Sequence, residues 1–101
     1  MRILIVDDEK PARARLARML GDLGAHDVVG ESVNGVEALG MAQSLEPDIV
    51  LMDIRMPGMD GIEAARHIAK LEQPPAVIFT TAFSDHALEA FETHAVDYLL
   101  K

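Results

Sequence analysis

The chain contains no cysteine among its 101 residues. Disulfide bridges are therefore excluded, and the composition fits a reducing cytoplasm. No apolar run approaches the ~20 residues that a membrane-spanning helix needs. The first residues lead straight into a strand-like apolar run and then into charge, which is not the pattern of a signal peptide.

Positive charge is scarce: nine Lys and Arg face 17 Asp and Glu, for a net charge of −8. Phosphate contacts need Lys and Arg, so this segment is not expected to bind nucleic acid by itself. Half of the residues are hydrophobic. That fraction predicts a packed core rather than disorder, and the length leaves room for one domain with a modest core.

Five apolar runs alternate with helical patterns along the chain. Such alternation indicates βα units and a parallel sheet. The runs at 48–53 and 76–81 each contain four consecutive apolar residues, so we expect these strands to be covered on both faces. The run at 28–32 is less apolar and suits an edge strand. The five predicted strands are residues 2–6, 28–32, 48–53, 76–81 and 96–100.

Helices are predicted between the strands from their start and stop signals. Pro11 opens the first helix, which Gly24 ends, and Asn34 caps the second. Ser84 or Asp85 caps the fourth. Apolar residues at helical spacing mark the sides that we expect to be buried. They are, helix by helix, Ala12, Leu16, Met19, Leu20 and Leu23; Val36, Leu39, Ala42 and Leu45; Ile62, Ala65, Ile68 and Ala69; and Ala87, Leu88, Phe91 and Ala95.

Two sets of ionisable side chains carry no site signature. Arg13, Arg15 and Arg18 take other positions of the first helix and are interpreted as a solvated basic face, with a partner site as the less favoured alternative. The histidines lie on separate predicted segments without the spacing of metal ligands, and they are interpreted as solvated too. They are His26, His67, His86 and His94.

Polar residues end the three strands predicted at the centre of the sheet. Asp7-Asp8 follows the first strand, Asp53 ends the third and Thr81 the fourth. The carboxyl ends of central strands are where open α/β sheets bind ligands, so we expect the three carboxylates to meet at one edge. Like charges that close disfavour joint ionisation, and a hard divalent cation removes the conflict. Oxygen ligands alone suit Mg²⁺.

The pattern resembles the receiver domain of two-component response regulators along the whole chain. Five elements carry the resemblance in order: Asp7-Asp8, Asp53, the loop 56–61, Thr81-Ala82 and Lys101. The stretches 87–91 and 95–99 are similar to the LytR/AlgR class, in which a LytTR DNA-binding domain follows the receiver.

The resemblance implies a flavodoxin-like, doubly wound α/β fold with a five-stranded parallel sheet in the order 2-1-3-4-5. Receivers continue after the lysine with a proline and a fifth helix, and this chain stops at Lys101. We therefore expect residues 1–101 to form one receiver domain truncated after the fifth strand. An apolar side would then be open for homodimers or for exchange of elements between chains.

The resemblance also implies a ligand set for Mg²⁺. Asp8 and Asp53 would be direct ligands together with the backbone carbonyl of Arg55. Asp7 would act mainly through a bound water. Asp60, in the loop that follows, stays open between a local partner and the rim of the pocket.

Asp53 is then the expected phosphoacceptor, since a carboxylate can attack phosphorus and form an aspartyl phosphate. Thr81 and Lys101 would hold the phosphoryl oxygens. Movement of Thr81 toward them would let Tyr98 fill the space it leaves, which makes Thr81 and Tyr98 the expected switch.

The resemblance names the partners as well. The donor would be a phosphohistidine on a sensor histidine kinase, or also a small acyl phosphate, in the cytoplasm. DNA would be contacted only through a further domain, and no membrane partner is expected. The chain would catalyse only its own phosphorylation and dephosphorylation.

Three other functions compete with this hypothesis. An aspartyl-phosphate phosphohydrolase commonly has a second acid two residues after its nucleophile, where this chain has Arg55. A flavodoxin needs a phosphate-binding loop after the first strand, where Asp7-Asp8-Glu9 would repel phosphate. A receiver-like module that no longer takes phosphate is disfavoured by the intact acidic set.

Overall fold

The structure is a computed structural model that describes residues 1–24 and 26–81 and the backbone of residues 97–100. The side chain of Thr81 is outside this description, as are the side chains of 97–100 and all of Lys101. The predicted fourth helix falls on 82–96 and so lies outside the described residues. Among the described residues, no helix is long and apolar enough to cross a membrane.

Strands and helices alternate as the apolar pattern predicts. In chain order the elements are β1 (Arg2–Val6), α1 (Lys10–Leu23), β2 (Asp27–Ser32), α2 (Gly35–Leu45), β3 (Ile49–Asp53), α3 (Gly61–Ile68), β4 (Ala76–Thr81) and β5 (Asp97–Leu100). All four strand pairings are parallel, and the sheet order is β2-β1-β3-β4-β5. The doubly wound fold and its strand order are thereby confirmed, and β2 is an edge strand as expected.

The helix ends follow their sequence signals. Pro11 lies in the first turn of α1, where a missing N–H breaks no helical bond. Gly24 ends that helix with φ 77°, a left-handed conformation that favours glycine. The Asn34 side chain accepts a hydrogen bond of 2.8 Å from the backbone N–H of Glu37, which confirms the predicted cap of α2.

The core has two layers, one on each face of the sheet. Residues 4 and 6 of β1, 50 and 52 of β3, and 77 and 79 of β4 pack against α2 and α3. Ile3, Ile5 and Leu51 pack on the opposite face against α1. Successive side chains of a strand point to opposite faces, so near-continuous apolar strands fill both layers at once.

Four predicted core positions of the helices are wrong. Met19 and Leu23 of α1 are 56% and 68% exposed, and Val36 of α2 is 65% exposed. Ala69 follows α3 and is exposed, whereas Ala64 is fully buried in its place. Each helix does bury an apolar side, but that side is rotated or shorter than the predicted one.

Candidate functional site

Three carboxylates meet at the carboxyl edge of the sheet, as the sequence predicts. Asp7 and Asp8 follow β1 and Asp53 ends β3, and these strands are neighbours in parallel register, with Val6 beside Met52. One carboxylate oxygen from each residue lies within 4.8 Å of the others. Asp7 is fully buried and Asp53 is 6% exposed, whereas Asp8 faces solvent. Two of the three carboxylates are thus buried, and the cluster is open to solvent on the side of Asp8.

The backbone around Asp7 is held by several hydrogen bonds. Its N–H donates to the Ser32 carbonyl of β2 at 3.0 Å. Its Oδ1 accepts from the N–H of Glu9 at 2.9 Å. Its own carbonyl oxygen accepts from Nη1 of Arg13 at 2.7 Å. Asp7 is therefore held at its N–H, its carboxylate and its carbonyl, and the bond to the carbonyl acts on the peptide that joins Asp7 to Asp8.

The loop after β3 fixes the backbone around Asp53. Ile54 and Met56 are buried at 3% and 7% exposure, so the loop folds inward directly after the aspartate. The N–H of Gly61 donates to the Ile54 carbonyl at 2.8 Å and closes the loop. Arg55, whose carbonyl is the expected ligand, has an exposed side chain two residues after Asp53.

Asp60 has a local role in this loop. Its Oδ1 accepts a hydrogen bond of 2.9 Å from the backbone N–H of Glu63 and so caps α3. An aspartate at this position also interacts favourably with the N-terminal end of the helix dipole. The local partner, one of the two alternatives that the sequence leaves open, is thereby confirmed.

The donor set fits a hard divalent cation. All three side chains are carboxylates that offer oxygen ligands at short mutual distance. Their mutual repulsion is reduced when a cation binds between them. Carboxylate oxygens with open positions for water and phosphate are what Mg²⁺ takes in proteins. The cluster could therefore hold Mg²⁺ without any further side chain.

Two threonines end β4 beside the cluster. Thr80 pairs with Asp53 in the parallel register of β3 and β4. It is 1% exposed, and its Oγ1 has no hydrogen-bond partner in the part of the chain that the structure describes. The role predicted for Thr81 depends on its side chain and stays a prediction.

The last strand reaches the same edge through its backbone. Thr81 pairs with Leu100, and Phe79 pairs with Tyr98. The expected roles of Lys101 and of the Tyr98 ring fall outside the described residues.

The sequence interpretation missed one residue near the cluster. Arg13 is not part of a solvated face: its side chain is 14% exposed, and its Nε bonds Glu31 Oε1 at 3.2 Å. Arg15 and Arg18 are exposed as expected. A signal was present, because Arg13 begins the stripe that continues through Leu16 and Leu20.

Fold and site together define a doubly wound α/β domain with an acidic, metal-competent cluster at the carboxyl edge of its sheet. Residues 3–101 match the family model of the response regulator receiver domain. The chain belongs to this family.

Curated relatives agree with this assignment. The chain is 56% identical over 102 residues to the positive alginate biosynthesis regulatory protein of Pseudomonas aeruginosa, and the match covers all of this chain and 41% of that protein. It is 44% identical over 101 residues to the transcriptional regulatory protein BtsR of Salmonella typhi, with coverage of 100% and 42%. The chain thus spans about two-fifths of the length of these relatives. The expected similarity to the LytR/AlgR class is confirmed.

Solved structures show the same fold. The response regulator domain of Thermotoga maritima CheB superposes with a TM-score of 0.94 at 35% identity, covering all of this chain and 78% of that one. A chain of the CheX–CheY–BeF₃–Mg²⁺ complex from Borrelia burgdorferi gives a TM-score of 0.92 at 26% identity, with coverage of 100% and 78%.

Proposed function

We propose that the chain accepts a phosphoryl group on Asp53 in a Mg²⁺-dependent reaction and so acts as the receiver of a two-component phosphorelay. The observation that carries the proposal is the meeting of Asp7, Asp8 and Asp53 within 4.8 Å at the edge of the sheet. Membership of the receiver family supports the same assignment. So does the structural similarity to a chain of a complex that contains Mg²⁺ and a beryllium fluoride group.

Four groups of the chain would hold the metal ion. Asp8, Asp53 and the carbonyl of Arg55 would bind it directly, and Asp7 would act through a bound water. Mg²⁺, when bound, supplies positive charge against the phosphoryl oxygens and the carboxylates. The burial of Asp7 and Asp53 gives these two carboxylates little freedom to turn away.

Asp53 would be the nucleophile. One of its carboxylate oxygens attacks phosphorus, the bond between phosphorus and the donor histidine nitrogen breaks, and the electron pair returns to the imidazole. Catalysis of such a transfer is mostly positioning and electrostatic stabilisation of the equatorial oxygens. The Thr81 hydroxyl and the Lys101 ammonium would hold two of those oxygens. In this scheme the chain catalyses only its own phosphorylation and dephosphorylation.

The bound phosphoryl group would then switch a surface. It adds about −1.5 to −2 charges and strong acceptor oxygens beside β4. Thr81 moves toward them and Tyr98 fills the space. The surface around residues 84–97 is reshaped, and the chain associates through it as a homodimer or by exchange of elements.

The output would be transcriptional. Relatives that the chain matches are named as regulatory proteins, and each is more than twice as long as this chain. Residues 1–101 would serve as the receiver domain, with DNA contacted by a further domain. The phosphoryl donor would be a sensor histidine kinase in the cytoplasm, where such an output meets DNA.

The proposal is tested by intact mass after incubation with a small acyl phosphate. We expect a gain of one phosphoryl group in Mg²⁺ and none in excess chelator. Asp53→Asn should lose the gain, whereas Asp22→Asn, which changes an exposed aspartate of α1, should keep it. Failure of the wild-type chain to gain mass would contradict the proposal, and rapid turnover of simple phosphate esters would favour the hydrolase.

A further inference from the structure

Arg13 is bonded to two partners at the acidic edge, and within the described residues it is the arginine of α1 with such bonds. Its Nη1 donates to the Asp7 carbonyl oxygen at 2.7 Å, and its Nε donates to Glu31 Oε1 at 3.2 Å. Only 14% of its side chain is exposed. Arg15 and Arg18 lie on the same helix and face solvent. The guanidinium of Arg13 thus donates hydrogen bonds to two defined acceptors.

The acceptor on Asp7 is the carbonyl of the peptide that leads into Asp8. The position of the exposed Asp8 carboxylate depends on the orientation of this peptide. The N–H and the Oδ1 of Asp7 are already bonded to Ser32 and Glu9. Arg13 bonds the carbonyl, and hydrogen bonds to a charged donor are among the stronger ones in proteins. Loss of Arg13 would remove the hydrogen bond that acts on the carbonyl of this peptide.

Glu31 orients the guanidinium. It lies on the edge strand β2 directly beside Ile5 of β1. Its side chain is 46% exposed, so the ion pair by itself adds little to the free energy of unfolding. Because Nε and Nη1 share one rigid plane, the bond to Glu31 fixes the direction in which Nη1 points.

We propose that Arg13 and Glu31 form a positioning clamp that holds the Asp7–Asp8 peptide in the orientation that Mg²⁺ binding requires. The inference rests on the proposed function, since it assigns these residues to the same metal site. Neither side chain touches the metal or the phosphoryl group in this scheme. Their effect reaches the ligands through the Asp7 carbonyl.

The clamp and simple electrostatics predict opposite signs for the loss of Arg13. Removing a positive charge near three carboxylates should strengthen the binding of a divalent cation. Removing a group that orients the ligands should weaken it. Groups that orient metal ligands typically change metal affinity by about 10- to 100-fold.

The test is Mg²⁺ titration of the wild-type chain and its variants by isothermal calorimetry. We expect the Kd of Arg13→Ala to rise about tenfold. Arg15→Ala, which removes the same charge from the same helix, should leave the Kd unchanged or slightly lower. Arg13→Lys keeps the charge without the planar fork, and its Kd should rise as well.

The Glu31 arm has its own control. Glu31→Gln should raise the Kd about threefold, an effect of the size of one exposed ion pair. Glu37→Gln removes an exposed charge from α2 and should leave the Kd for Mg²⁺ unchanged. The double variant of Arg13→Ala and Glu31→Gln should bind no more weakly than Arg13→Ala alone, because the second bond acts through the first.

A Kd of Arg13→Ala that matches that of Arg15→Ala would overturn the clamp and leave the proposed function standing. Thermal unfolding in chelator shows whether each variant folds, and a lower midpoint with an unchanged Kd would also overturn the clamp. If Arg13→Ala does not fold, the Kd values of Arg13→Lys and Glu31→Gln test the clamp instead, and wild-type values in both would overturn it. A wild-type chain that binds no Mg²⁺ would overturn the clamp and the proposed function together.

Discussion

Gly61 packs directly against the backbone of Asp53. A Cβ atom at position 61 would overlap the Asp53 carbonyl oxygen and would lie 2.9 Å from the carbonyl carbon. Its own N–H bonds the Ile54 carbonyl at 2.8 Å. The residue that begins α3 thus sets the backbone position of the expected phosphoacceptor, and only a hydrogen fits between them.

Gly61→Ala should therefore damage stability and reactivity together. The overlap with backbone atoms should lower the free energy of unfolding by about 2 kcal/mol, as overpacking does elsewhere. Displacement of the Asp53 carboxylate should slow phosphorylation about tenfold or more, since misplacement by about 1 Å can cost 100-fold. Urea unfolding and the rate of mass gain with an acyl phosphate measure the two effects.

Gly40→Ala is the matched control for that substitution. A Cβ there meets no described atom within 4 Å beyond its chain neighbours and the backbone of its own helix, and the residue lies inside α2. Alanine should raise the free energy of unfolding by about 0.5–1 kcal/mol through helix propensity. A Gly61→Ala variant as stable as wild type would show that the close packing is absent in solution.

Thr80 and Thr81 should respond differently to valine. The buried Thr80 hydroxyl has no bonding partner among the residues described, so Thr80→Val should leave the free energy of unfolding unchanged or raise it by about 1 kcal/mol. Thr81→Val should instead slow phosphorylation about tenfold or more by removing a donor to the phosphoryl group. A loss of stability in Thr80→Val would mean that its hydroxyl is bonded after all.

Substitutions at Asp60 distinguish a carboxylate that caps a helix from a carboxylate that binds the metal ion. Asp60→Ala should lower the free energy of unfolding by about 1 kcal/mol, and Asp60→Asn should keep most of the cap. Neither should change the Kd for Mg²⁺, whereas we expect Asp8→Asn to raise it, although Asp60→Asn and Asp8→Asn remove the same charge. Equal losses of Mg²⁺ affinity in these two variants would place Asp60 in the metal site.

The sequence predicted the sheet and the acidic site because both follow from chain order. Apolar runs of strand length locate the strands, and parallel strands place Asp7, Asp8 and Asp53 at one edge without any tertiary information. The register then confirms what the spacing implies. Asn34 and Gly24 were predictable for a similar reason, since helix caps are set by local backbone geometry.

The buried side of each helix was harder to predict, because apolar residues at helical spacing can form two adjacent stripes of which only one faces the sheet. In α1 the stripe through Leu16 and Leu20 faces the sheet, and Met19 and Leu23 lie beside it in solvent. Val36, in the first turn of α2, is exposed, whereas the small Ala38 is fully buried. The bonds of Arg13 depend on where the side chain of Glu31 lies across the strands, which no local pattern encodes.

Tyr98 should report phosphorylation without taking part in it. Tyr98→Ala should gain the phosphoryl mass at the wild-type rate and should lose the association that phosphorylation drives, because no ring is left to fill the space beside Thr81. Light scattering with and without a beryllofluoride mimic measures the association, with Tyr98→Phe as the variant that keeps the ring. Unchanged dimerisation of Tyr98→Ala would remove Tyr98 from the switch.

The position of the phosphoryl group tests the central claim most directly. The chain is incubated with Mg²⁺ and a small acyl phosphate as donor. Any phosphorylated carboxylate on the protein is then reduced with borohydride, and the peptides are sequenced by mass spectrometry to find the reduced residue. The account predicts that Asp53 alone is converted, and only when Mg²⁺ is present. Conversion at another side chain, or equal conversion of Asp53 in chelator, would contradict it.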